Sequence, residues 1–207
     1  MAKYTGPDCR LCRREGMKLH LKGDKCMSEK CPFLKKYAPP GDHGKARKKN
    51  SGYSIQLREK QKTKRYYGVT EKQFKMYYDR ASEMRGVTGE NMLVLIERRL
   101  DNAVYRLGLG ASRAQARQIV SHGLITVNGK RVDIPSYLIK VGDVIAVKES
   151  KKDSVLFENV KQTKNLSIVK WLEFDNANLT GKVVALPERS DIDIDIQEHL
   201  IIELYSK

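Results

Sequence analysis

Four cysteines fall within the first 31 residues, at Cys9, Cys12, Cys26 and Cys31. The pattern Cys-x2-Cys-x13-Cys-x4-Cys sets two short thiol pairs on either side of a loop, the arrangement that tetrahedral metal coordination needs. Residues 1–40 offer few large apolar side chains (Leu11, Leu19, Leu21, Phe33, Leu34), too few for a self-sufficient core. A bound metal would supply the missing folding free energy. One structural Zn²⁺ on the four thiolates is the expectation. An iron–sulfur cluster is the alternative that the spacing leaves open. His20 and His43 are spare donors that a complete thiolate set makes unnecessary.

The second chemistry is cationic. The 207 residues carry a formal charge of +15, unevenly spread. Residues 1–50 hold 14 basic and 5 acidic side chains, whereas residues 149–207 hold 8 and 11. An excess of this size points to a nucleic acid, because each neutralised phosphate releases counterions. The longest apolar runs, such as Met92-Leu93-Val94-Leu95-Ile96, are too short to span a bilayer, so no membrane partner is expected. The opening residues lack the apolar core of a secretory signal. The expected location is the cytosol, where thiols stay reduced and disulfides are disfavoured.

The elements that would position these cations follow from periodicity. "YAPPGDHGKARKKNSG" reads as an irregular connector, with Arg47, Lys48 and Lys49 as a phosphate-tracking arm or a plain linker. Residues 54–66 read as a helix capped by Ser54, with Arg58, Lys62 and Arg65 on a cationic surface. Thr70-x-x-Gln73 is a capping-box signature ahead of a stripe of Phe74, Tyr77, Tyr78, Ala81 and Met84, which reads as core. Residues 91–109 read as a third helix, with Leu93, Ile96, Leu100, Val104 and Leu107 on one stripe and Arg99 and Arg106 off it.

In "SRAQARQIVSHGLITVNGKRV", Ser112-x-x-Gln115 is a second capping box. Arg113, Arg117 and Ser121 then repeat on a face away from the inward Ala116, Ile119 and Val120. Gly123, just after His122, ends the helix, and Asn128-Gly129 suits a type I′ turn between two short strands. Lys130 and Arg131 follow that turn. At the C-terminal end, Ile192, Ile194 and Ile196 alternate with Asp191, Asp193 and Asp195, the spacing of a half-buried strand.

"ERRLDNAVYRLGL", "SRAQARQIVSHGLITVNGKRV" and "IPSYLIKVGDVI" closely resemble the S-four RNA-binding module. That module occurs in a ribosomal protein, some pseudouridine synthases and some tRNA synthetases. The flanks "PPGDHG", "YSIQLREKQKTKRYYGVTEKQF", "TGENML" and "LPERSDIDIDIQEHLIIELYSK" extend the resemblance over essentially the whole chain, to the bacterial small-subunit ribosomal protein S-four family, including its cysteine-bearing, zinc-type N-terminus.

The resemblance implies an α+β protein in which a mostly helical, discontinuous domain carries an inserted α/β RNA-binding domain. Its divisions are a metal-binding segment and connector (1–45), the first helical part (46–97), the RNA-binding domain (98–178) and the returning helical part (179–207). It implies binding to small-subunit 16S rRNA at a multi-helix junction, nucleation of subunit assembly, and support of translation fidelity near the mRNA entrance. The partners implied are that rRNA, ribosomal protein S-five and other small-subunit proteins, and mRNA, with no small-molecule substrate.

The candidate RNA contacts are Arg47, Lys48, Lys49, Arg58, Lys62, Arg65, Arg99, Arg106, Ser112, Arg113, Arg117, Ser121, His122, Lys130 and Arg131. The rivals are an RNA-modifying enzyme carrying the same module and a zinc-dependent DNA regulator. The chain shows no Gly-rich phosphate loop, paired catalytic carboxylates or Ser/His/Asp arrangement, so an enzyme is not expected.

Overall fold

In the computed structural model, residues 3–46, 49, 51–162 and 169–206 are described. The architecture is α+β and the chain divides into two units, one reaching to Met92 and resuming at Ile194, the other spanning Leu93–Asp193. The boundary expected at residue 178 shifts, because Thr180–Val183 is a strand of the second unit's sheet.

The first unit is helical. Short helices α1 (Asp8–Glu15), α2 (Asp24–Met27) and α3 (Pro32–Lys35) carry or border the cysteines. Helix α4 (Gly52–Tyr67) starts two residues before the expected Ser54. Its cap is Ser51, whose hydroxyl accepts from the Ser54 N–H at 3.2 Å, so Ser54 is the capped residue rather than the cap. Helix α5 (Glu71–Glu83) begins after Thr70, whose side chain makes no capping bond. Phe74, Tyr77 and Ala81 are buried as the stripe requires, whereas Met84 lies past the helix end and is exposed.

The last helix, α10 (Glu198–Tyr205), packs on α4 although 130 residues separate them. Gln56 donates to Glu203 at 2.5 Å, and the Gln197 N–H donates to Glu59 at 2.9 Å. Gly89 makes room for α10: a Cβ there would lie 2.6 Å from the Glu198 Cβ. Ile192, Ile194 and Ile196 are buried while Asp193 and Asp195 are exposed, as the alternation requires. This stretch joins no ladder and bends at Ile194, so it is not a strand.

The helix expected over 91–109 is two helices, α6 (Thr88–Glu97), within which the division between the units falls, and α7 (Leu100–Arg106) of the second unit. Of the two residues between them, Arg98 and Arg99, the second is extended (φ −67°, ψ 139°) and bridges Leu138. The loop at 135–139 takes over the backbone groups that a continuous helix would use. Leu100 and Asp101 N–H donate to the Tyr137 and Pro135 carbonyls, and Ile139 N–H donates to the Arg98 carbonyl. Tertiary hydrogen bonds outweigh local helix propensity here.

Helix α8 (Arg113–Ser121) is capped by Ser112, which accepts from the Gln115 N–H, and Gln115 reaches back to the Ala111 N–H at 2.8 Å. It packs against α7. The antiparallel sheet has the order β2-β1-β3-β5-β4, with β1 (Ile125–Val127), β2 (Lys130–Arg131), β3 (Val144–Val147), β4 (Leu172–Asp175) and β5 (Thr180–Val183). Asn128 and Gly129 both have positive φ (49° and 77°), the type I′ geometry. Leu100, Val104, Ile119, Ile125, Ile145 and Trp171 share the core with Phe157 of α9 (Val155–Gln162).

Candidate nucleic-acid interface

The end of α8 and the β1–β2 hairpin place polar side chains on the surface of the second unit. Ser121 and His122 close the helix and are exposed, and Lys130 and Arg131 are exposed on β2. The Arg131 guanidinium lies over Gly123, in the space a Cβ would take, and Gly123 has a φ of 66°. The backbone favours glycine there, and a Cβ would in addition push the exposed arginine aside. Asp133 stands 3.6 Å from Arg131, but both side chains are more than half exposed, so the pair holds the arginine weakly.

Three of the expected contacts are placed elsewhere. Arg99 is 1% exposed and bonds Asp101 through Nε (3.0 Å) and Nη2 (2.6 Å), a bidentate buried pair. Arg117 is also buried, with Nη1 3.7 Å from the same carboxylate. The Arg106 side chain is 6% exposed, and its guanidinium engages Glu97 (2.9 Å) and Asp193. Arg99 and Arg117 face the buried Asp101, and Arg106 faces the buried Glu97 and the exposed Asp193, so these arginines are withdrawn from the solvent-facing set. The helical repeat that grouped Arg117 with Ser121 fails because Asp101 draws Arg117 inward.

Arg113 is half-buried. Its Nε donates to the Asn102 Oδ1 at 2.9 Å, and its guanidinium sits 4.4 Å from the centroid of the Tyr105 ring. Ser112 is engaged as the α8 cap. The residues of this network that the sequence reading did not single out are Glu97, Asn102 and Tyr105. The signal was present in "ERRLDNAVYR", where acids and an amide lie among arginines in a largely apolar helix.

In the helical unit, Lys49 is exposed, and Arg47 and Lys48 lie outside the described residues. Arg58 and Arg65 converge on Glu15 of α1, Arg58 at 3.2 Å. Burial pushes the Glu15 carboxyl up, and Arg65 and Arg58 oppose that shift. Burial likewise lowers the Arg58 pKa against the pull of Glu15. Lys62 pairs with Glu59 at 2.6 Å.

The cysteines form no disulfide, and three of them, Cys12, Cys26 and Cys31, are buried. Burial raises the Cys12 thiol pKa, the Leu19 N–H lowers it, and Cys26, Cys9 and Cys31 each raise it further. The Cys12 sulfur thus lies near enough to the other three to be affected by them. The Lys22 N–H donates to the Cys26 sulfur at 3.3 Å. Among the described residues, no group of three or more His, Cys, Asp or Glu is placed to hold a metal ion. No described helix is long and apolar enough to cross a membrane.

The end of α8 and the β1–β2 hairpin thus present cations on the surface of a small α+β unit. The model of the S4 domain matches residues 98–145, and that of the Ribosomal protein S4/S9 N-terminal domain matches residues 3–97. Relatives called small ribosomal subunit protein uS4 match along the full length of both chains. They are 62% identical in Caldicellulosiruptor saccharolyticus, 59% in Thermoanaerobacter pseudethanolicus and 58% in Clostridioides difficile. The chain belongs to the ribosomal protein uS4 family.

Proposed function

We infer that this protein is a structural rRNA-binding component of the small ribosomal subunit, acting in the cytoplasm as part of the ribosome and not as an enzyme. The observation that carries this reading is a likeness that runs through both units at 58–62% identity, so it is not borrowed from the RNA-binding module alone. The exposed Lys130, Arg131, Ser121 and His122 support it chemically. Cations and hydroxyls at a hairpin and helix end suit phosphates and 2′-hydroxyls.

The target within 16S rRNA is a multi-helix junction, where backbones crowd and shape is recognised more than base edges. Binding there nucleates subunit assembly and supports fidelity near the mRNA entrance, with ribosomal protein S-five and mRNA as neighbours. Purified protein should retain 16S rRNA on a filter at a salt concentration where duplex DNA of equal length no longer competes. Equal competition would favour the DNA-regulator reading instead.

Cys9, Cys12, Cys26 and Cys31 hold one structural Zn²⁺, with an iron–sulfur cluster as the alternative. Support comes from the donor chemistry: four free cysteines in two short pairs, three of them buried, in one small segment. The ion would stabilise a segment otherwise poor in apolar contacts.

A further inference from the structure

The turn at Asn128–Gly129 is fixed from outside its own hairpin. The Asn128 backbone N–H donates to the Val144 carbonyl at 2.9 Å, and the Val144 N–H donates back to the Asn128 Oδ1 at 2.9 Å. The side-chain oxygen thus stands in for a backbone carbonyl and adds one more pair to the β1–β3 ladder, beyond Val127 and Ile145. With Oδ1 committed, the amide has one orientation left, and its Nδ2 donates to the Asp143 Oδ1 at 2.8 Å.

Asp143 is itself tied down. Its second oxygen accepts from the Lys140 N–H at 2.8 Å, and its backbone carbonyl accepts from the Val183 N–H of β5 at 3.0 Å. The half-buried carboxylate therefore joins the β1–β2 turn to the loop before β3. What the turn carries is β2, an edge strand of two residues, Lys130 and Arg131, both exposed. So short a strand supplies little rigidity of its own. The Lys130 ammonium has no partner among the described residues, and the Arg131 contact with Asp133 is exposed, so both cations are open to phosphate.

We propose that Asp143 is a positioning residue for RNA binding: through Asn128 it holds the β1–β2 turn, so that Lys130 and Arg131 are set for the rRNA backbone before contact. By charge alone an acid beside a cationic hairpin opposes a polyanion. Its two hydrogen bonds account for its place, because ordering the turn in advance lowers the entropy lost on binding. An asparagine at 143 would offer a single acceptor oxygen where two N–H groups converge, and one of them would lose its partner. The proposal rests on the rRNA-binding reading and refines it.

The test compares two carboxylates on the full chain, with affinity for a 16S rRNA fragment measured over a salt series. Asp133→Asn removes a charge beside Arg131 and should tighten binding. Asp143→Asn removes the same charge, yet should weaken binding severalfold. In the background of Lys130→Gln, Arg131→Gln, the Asp143→Asn substitution should no longer weaken binding, since the cations it positions are gone. Tighter binding by Asp143→Asn, or a loss that persists in that background, overturns the proposal.

Asn128→Gly gives a second test that changes no charge. Glycine accepts the φ of 49° at this position, so the turn is kept while the side-chain clamp is removed. Its binding should weaken, and its salt slope should move toward that of Lys130→Gln, Arg131→Gln. Wild-type affinity and slope in Asn128→Gly overturn the proposal. The clamp is also read without RNA: the Val144 N–H should be protected from hydrogen exchange in wild type and lose protection in Asn128→Gly. An unprotected Val144 N–H in wild type overturns the proposal. Failure of the wild type to bind rRNA at all would instead strike the functional reading and leave that protection in place, so the two failures are distinguishable.

Discussion

The Tyr205 hydroxyl donates a hydrogen bond to the Glu71 carboxylate at 2.8 Å, joining residues 134 apart in sequence. Lys60 (2.6 Å) and Lys64 (2.9 Å) reach the same carboxylate, and the Tyr205 ring packs on Tyr78 with centroids 4.8 Å apart. A single acid thus ties α4, α5 and α10 into one helical unit.

Burial alone would raise the Glu71 pKa, but the bonds from Lys60, Lys64 and Tyr205 hold it down at about 2. Because the folded-state value lies below the ordinary 4.5, Glu71 stabilises the fold above that value. The contribution is lost as pH falls from about 4.5 toward 2. Glu71→Gln should therefore lower the urea midpoint at pH 7, and its difference from wild type should shrink through that acid window. A pH-independent difference would show that the charge on Glu71 is not what matters.

Arg99→Ala should be the most damaging arginine substitution. It leaves the Asp101 carboxylate buried with only the more distant Arg117 guanidinium as a cationic partner. Removing one member of a buried pair costs about 3–5 kcal/mol. A loss under 1 kcal/mol by chemical denaturation would mean that Asp101 is resolvated or repaired by Arg117.

The contrast between Arg99 and Arg131 marks the limit of what the sequence reveals. The Ser112 capping box, the Asn-Gly turn and the buried part of the Phe74 stripe were legible because each is a local pattern with a local cause, whereas the Thr70 box makes no capping bond and Met84 falls outside its helix. Ser112, Asn128 and the buried Phe74–Tyr77–Ala81 stripe stand where those patterns put them. Arg99 and Arg117 read as surface cations because charged residues usually are, and only their tertiary approach to Asp101 withdraws them. The helix break at Arg99 escaped for the same reason: its cause lies some forty residues away, in the loop at 135–139. The β4–β5 hairpin was missed although Asp175 binds the Ala177 N–H and the Asn178 side chain in its turn, a local signal hidden in "FDNANLT".

Metal analysis addresses the N-terminal segment. Purified protein should contain about one equivalent of zinc, and Cys26→Ser should lose it together with ordered amide signals from residues 8–35. Iron with sulfide would instead select the cluster, and a metal-free protein with those signals intact would remove the assignment.

Gly123→Ala should weaken rRNA binding more than its cost in stability explains. The added Cβ both strains a φ of 66° and displaces the Arg131 guanidinium from above it. Binding by folded Gly123→Ala should fall toward that of Arg131→Gln. Unchanged affinity would show that Arg131 binds from another position.

The central claim is that exposed cations at the α8 end and the β1–β2 hairpin engage rRNA phosphates, while the buried arginines hold the scaffold. The most direct measurement is the salt dependence of 16S rRNA affinity for wild type and for the double variant Lys130→Gln, Arg131→Gln. The expected outcome is native unfolding behaviour, weaker binding, and a log–log salt slope shallower by about two. A correctly folded double variant with wild-type affinity and slope would contradict it.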